Sequence, residues 1–126
     1  DAVVYHNGSA DGTYTFSTRA SFATSTTFIG RQPSFNAYVG LIDEFAVFNS
    51  VLTQPQIAAI YNGGTPASLT SPLGWWRMGD GAGDTDSGGG APANTDVVGT
   101  IANQGTLGSN GNGVGTNGPT FSTDVP

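Results

Sequence analysis

Three aspartates spaced within one glycine-rich run, Asp80, Asp84 and Asp86 in GDGAGDTDSGGG, are the best metal candidates in the chain. Calcium takes several oxygen ligands from a flexible loop, and glycine lets backbone carbonyls turn inward. The spacing departs from an EF-hand, because no glutamate stands at the twelfth position. The plainer reading is a solvated acidic turn. Asp43-Glu44 is a second acidic pair, and Glu44 is the single glutamate of the sequence. Retaining glycoside hydrolysis needs two carboxyls about 5–5.5 Å apart. Neighbours on a strand point to opposite faces. Asp43 is therefore expected to tie its strand to a loop, and Glu44 to face water. His6 is the one histidine. No serine sits in a nucleophile-elbow glycine pattern, so His6 reads as a strand-end residue beside a turn. Trp75 and Trp76 are neighbours, so one ring faces in and the other out. An outward ring can stack on a sugar face or pack in a subunit interface. Tyr38 and Phe35 carry the same ambiguity, and these four aromatics are the glycan or interface candidates.

The elements that position these residues centre on YVGLIDEFAVFNSVLTQPQIAAIYN, residues 38–62. Tyr38 to Phe48 is rich in aromatic and β-branched residues and reads as a strand. Asn49-Ser50 breaks it. Thr53 and Gln56 have capping-box spacing, with Leu52 and Ile57 placed as a hydrophobic staple. Pro55 falls in the first turn, where its missing N–H is harmless. Ile57, Ile60 and Tyr61 form one stripe, and Gly63-Gly64 stops the helix. One short helix is expected over about 53–62. Ala2–His6 reads as the first strand of a hairpin turning at Asn7-Gly8 or Asp11-Gly12. Strands are further expected at Thr13–Phe16, Thr26–Gly30, Leu73–Met78, Val97–Ile101 and Thr120–Ser122. Residues 103–118 read as turns with Leu107 as their apolar anchor. Ordering the glycine-rich stretch 79–119 costs much backbone entropy, so its order is expected to depend on packing against neighbours.

Composition narrows the function classes. The chain has 126 residues, enough for one small domain with a core, and 20 glycines. Charged residues are 10% of the sequence, against about 25% in typical domains. Many short strands joined by turns, an all-β sandwich or barrel, fit that make-up. Arg19, Arg31 and Arg77 are the only cations, against a net charge of −6. Nucleic-acid binding needs a basic footprint and is not expected, nor is attraction to anionic membranes. No apolar run is long enough to insert as a helix. Without cysteine there are no disulfides, thiolate metal sites or cysteine nucleophiles. A start at Asp1 without a signal-like segment suggests a processed or truncated product of a longer polypeptide.

The residues of the central stretch also carry a resemblance. Gly40, Ile42-Asp43-Glu44, Asn49, Leu52-Thr53 and Tyr61-Asn62-Gly63 resemble the closing strand and helix of laminin-G-like, concanavalin A-like jelly rolls. Phe28-Ile29-Gly30-Arg31 and Tyr5-His6-Asn7-Gly8 resemble strands that precede that closing unit. Gly74-Trp75-Trp76-Arg77-Met78, Gly105-Thr106-Leu107 and Gly118-Pro119-Thr120-Phe121 look like the beginning of such a domain. The resemblance implies a concanavalin A-like jelly-roll sandwich, incomplete here or completed by an upstream segment or a neighbouring chain. Residues 1–72 would be its C-terminal part, and 73–126 a tryptophan strand and Gly/Asn/Ser-rich segment packing on the same sandwich. Related glucanases carry a Glu-Ile-Asp-x-x-Glu-like run on one strand. Here Leu41 replaces the first glutamate, so no enzyme activity is expected. Folds of this type often bind calcium, which makes Ca²⁺ the one cofactor to consider.

GWWRMGD and GPTFSTDVP are also similar to the C-terminal ends of structural proteins of marine bacteriophages. The resulting expectation is a non-enzymatic structural or adhesive module of a large assembly, a capsid decoration, fibre or tail subunit. It would be virion-borne or extracellular, forming a homo-oligomer or contacting other virion subunits, and able to bind a cell-surface glycan. The alternative is a carbohydrate-binding module of a secreted or cell-surface bacterial protein.

Overall fold

The computed structural model describes residues 1–15, 28–30, 38–63, 72–115 and 118–122. At the start of the chain, β1 (Ala2–His6) and β2 (Ser9–Tyr14) form an antiparallel hairpin. Of the two turn candidates, Asn7-Gly8 is the one used. Both residues are left-handed, at φ 52° and 72°, as the tight type I′ hairpin turn requires. Asp11 is instead the extra residue of a bulge, because Tyr5 pairs with Ala10 and Val4 with Gly12.

The helix α1 covers Gln54–Tyr61, with Thr53 as N-cap and the capping box present. The Gln56 side-chain oxygen accepts from the Thr53 N–H at 2.8 Å and from its hydroxyl at 2.9 Å. At the other end the Asn62 N–H donates to the Ala58 carbonyl, and Gly63 turns left-handed. The helix docks on the hairpin turn. A Cβ on Gly8 would lie 3.1 Å from Tyr61 Cδ1 and 3.3 Å from Ala58 Cα. Gly8→Ala is therefore expected to destabilise the chain by about 1–2 kcal/mol from the left-handed backbone alone. The helix contact adds to that cost. A denaturant titration at constant m-value measures it.

The long strand expected over Tyr38–Phe48 is confined to β3, Phe45–Val47. Glu44 has φ +50°, which breaks the extended path immediately before Phe45. Likewise Phe28-Ile29-Gly30 forms no strand. Gly30 turns left-handed and its carbonyl accepts the Tyr38 N–H at 2.7 Å. Thr26 and Thr27 lie outside the described residues. The tryptophan strand β4 is Gly74–Trp76, shorter than Leu73–Met78 because Met78 has φ +58°. β3 and β4 pair antiparallel, with Phe45 opposite Trp76 and Ala46 opposite Trp75.

A third sheet holds β5 (Thr85–Asp86), β6 (Val98–Ile101) and β7 (Gly113–Val114), in that order and all antiparallel. A 3-10 helix over Gly108–Gly111 precedes β7. The expected final strand at Thr120–Ser122 is reduced to a single bridge between Thr120 and Val97.

Ile101, Ala102, Phe121 and Pro72 are buried apolar residues among those described. Leu107 is 48% exposed and is no anchor. That role falls to Asn103, which is buried. Its Oδ1 accepts from the N–H groups of Trp75 and Gly105, and its Nδ2 donates to the Gly108 carbonyl. Side-chain oxygens order the glycine-rich loops in the same way. Asp86 accepts from Gly88 and Gly90, Asp96 from Ala93, and Asn112 from Asn103. The order of this segment thus arises largely within it, from local side-chain-to-backbone bonds.

Mostly short strands in small antiparallel sheets, with one short helix, make a partial β-sandwich. The hairpin shows the partial character. Val3 and Val4 point to opposite faces of β1, and both are nearly half exposed, so neither face is fully covered. Among the described residues no helix is long and apolar enough to cross a membrane.

Candidate functional site

The break before β3 and the end of β4 lie side by side because Phe45 pairs with Trp76. That register brings Glu44 next to Arg77. Trp75 Nε1–H donates to Glu44 Oε2, and Arg77 Nε–H donates to Glu44 Oε1 at 3.0 Å. Arg77 Nη2 reaches Asp80 Oδ2 at 2.6 Å. The guanidinium carbon sits 5.5 Å from the centre of a Trp75 ring, within cation–π range. Asp43 closes the group, its Oδ1 accepting from the Glu44 N–H at 2.9 Å. One carboxylate oxygen from each of Asp43, Glu44 and Asp80 lies within 4.8 Å of the others.

Two expectations are corrected by this geometry. Asp43 and Glu44 do not face opposite sides, since the left-handed backbone at Glu44 replaces the pleat that would separate them. Glu44 does not simply face water either. It is half-buried, with both oxygens bonded to β4 and to the residue that follows it. A non-glycine residue with positive φ is strained, and here three bonds to the Glu44 side chain and backbone hold it in place.

A cleft of about 300 Å³ opens beside this group. Asp43, Arg77 and Asp80 form its polar wall, and Met78, Pro92 and Phe121 line it with apolar surface. Asn94 and Ser122 line it as well. Gly79 is needed there, because a Cβ would approach the Phe121 ring to 2.9 Å, at a backbone φ of +143°.

The charges influence each other. Burial pushes the Asp43 carboxyl above its usual range, the Glu44 N–H opposes that, and the charges of Glu44 and Asp80 add to the rise. The hydrogen bond to the Glu44 carboxylate holds the Arg77 guanidinium above its ordinary value, against a smaller effect of burial. For Asp43 the sign follows from the raised folded-state value. Its favourable contribution is fully present below the unfolded carboxylate pKa and is lost as pH rises through the folded one. Asp43→Asn, which keeps an oxygen for the Glu44 N–H, should raise the melting temperature at pH 7. The gain should shrink towards zero near pH 3, which thermal melts across that range measure.

The candidate residues named from the sequence divide between places. Trp75 and Asp80 are in the site. Trp76 packs its ring 5.7 Å from that of Phe45 and donates its indole N–H to the Gly111 carbonyl. Tyr38 is 59% exposed and is not among the cleft residues. Phe35 lies outside the described residues. Asp80, Asp84 and Asp86 are not brought together. Asp84 is buried and spends its carboxylate on the N–H groups of Gly79, Gly81 and Ala102, and Asp86 spends its own on Gly88 and Gly90.

Calcium does not fit the acidic group that does form. It takes six to eight oxygens, whereas Arg77 is bonded directly to two of these three carboxylates and supplies the compensating charge. Arg77 was missed as a site residue. Its signal was available, as a lone cation directly after two tryptophans in a chain with nine acidic residues.

Residues 1–58 match the family model of the concanavalin A-like lectin/glucanases superfamily. The matched segment carries β1, β2, β3, the start of α1 and both Asp43 and Glu44, and is similar to that superfamily. The fold is accordingly a partial concanavalin A-like sandwich. Comparison with curated proteins and with solved structures finds no match.

Proposed function

We propose that this chain is a non-enzymatic adhesive module that holds a saccharide in the Asp43–Arg77–Asp80 cleft. The observation that carries this reading is the cleft itself. Its lining combines hydrogen-bonding carboxylates and a guanidinium with the apolar surface of Met78, Pro92 and Phe121. Ligand sites combine apolar lining with a few fixed polar groups in this way. The superfamily of residues 1–58, named for lectins and glucanases, points in the same direction.

The engagement of Glu44 supports binding over hydrolysis. Both its oxygens are bonded to Trp75 and Arg77, which leaves it poorly placed to transfer a proton or attack a sugar carbon. A glycan array with the labelled chain tests the reading. Selective binding that Asp80→Ala weakens supports it, and silence on every glycan refutes it. Release of reducing sugar from a β-glucan, lost in Glu44→Gln, would overturn the non-enzymatic part.

A second reading, a structural subunit of a larger assembly such as a virion, has its own support. Val3 and Val4 expose apolar surface on both faces of the hairpin, as open sheets that pair with other chains do. The virion location itself rests on the resemblance of GWWRMGD and GPTFSTDVP. Peptide-mapping mass spectrometry of purified particles tests it. Capsid or tail proteins accompanying this chain support it, and their absence counts against it.

A further inference from the structure

We infer that the cleft selects neutral saccharides over anionic ones, with Arg77 rather than a bound metal ion holding its carboxylates together. This deepens the proposed saccharide binding and rests on it. The cleft is lined by two carboxylates, Asp43 and Asp80, and one guanidinium, with the Glu44 carboxylate close beside them. That guanidinium is already shared between Glu44 and Asp80. Among the described residues it is the one cation lining the cleft. An incoming uronate or sulfate therefore finds no uncompensated positive charge and meets carboxylates, an arrangement that like-charge repulsion strongly disfavours.

A neutral sugar meets suitable acceptors. Asp43 uses Oδ1 for the Glu44 N–H and Asp80 uses Oδ2 for Arg77. Each carboxylate has a second oxygen with acceptor capacity. Carboxylate oxygens of this group lie within 4.8 Å of one another. Hydroxyls of a neutral sugar donate to such closely set carboxylates. The apolar surface of Met78 and Pro92 then covers the C–H face of the ring. No divalent ion is required, because Arg77 does the work of keeping the carboxylates close.

The test is calorimetry on the intact chain with paired oligosaccharides of equal length, glucan against glucuronan and galactan against galacturonan. Each pair is run with and without EDTA. The neutral member should bind at least about tenfold more tightly, unchanged by EDTA. Asp80→Asn, at an exposed position, removes one negative charge and should narrow that ratio. Equal or tighter binding of the acidic member, or loss of binding in EDTA, overturns the inference while saccharide binding itself stands. Silence of both members of every pair overturns the saccharide reading, and the inference with it.

Discussion

Asp84→Ala should lower the unfolding free energy by about 3–5 kcal/mol, a large part of the roughly 5–15 kcal/mol that holds a small domain together. Asp84 is 5% exposed and ties its own loop to the residue after β6. Its Oδ2 accepts from Gly79 at 2.9 Å and Gly81 at 3.2 Å, and its Oδ1 accepts from Ala102 at 2.6 Å. Alanine leaves all three N–H groups without that acceptor, each worth about 1–3 kcal/mol where water cannot replace it. Asparagine is no remedy. It keeps one oxygen for Ala102 but turns an NH₂ towards two N–H donors. Asp84→Asn should therefore cost nearly as much. Chemical denaturation gives the totals, and amide exchange should accelerate first at Gly79, Gly81 and Ala102. Loss of under about 1 kcal/mol would show that the carboxylate is incidental to the loop.

Asn103→Ala should cost about 2–4 kcal/mol for the same kind of reason. The Trp75 N–H loses its acceptor at 2.7 Å, the Gly105 N–H its acceptor at 3.0 Å, and the Gly108 carbonyl its donor at 3.1 Å. The loss falls on β4, which positions Trp75 beneath Arg77. Tryptophan emission should shift to the red with the loss of stability. Asn103→Asp retains the acceptor for Trp75 and Gly105 and loses only the donor, so its cost should be intermediate. If alanine and aspartate behave alike, the acceptor bonds are not what matters.

These two residues also explain what was and was not legible beforehand. Features set by neighbours in sequence were readable. The Asn-Gly turn, the Thr53–Gln56 cap and the glycine stop at Gly63 depend on residues within a few positions of one another, and each formed where expected. Strand lengths were not readable, because Glu44 and Met78 adopt left-handed backbone that their residue types do not announce. The site was half readable. Trp75 and Asp80 stood out by type, but their meeting with Glu44 depends on the β3–β4 register across about thirty residues. Asp84 and Asp86 drew attention as metal ligands, whereas glycine-rich loops with little apolar content use carboxylates to order their own backbone.

The Asp43–Arg77–Asp80 cleft is the proposed ligand site. Amide-correlated NMR spectra of the labelled chain, titrated with a neutral oligosaccharide, test it most directly. Saturable shifts are expected at the Trp75 and Arg77 side-chain N–H signals and at the backbone amides of Gly79, Asp80 and Ala93. The β1–β2 hairpin and α1 should stay still. Shifts confined to the hairpin and helix, or none at saturating sugar, would contradict it.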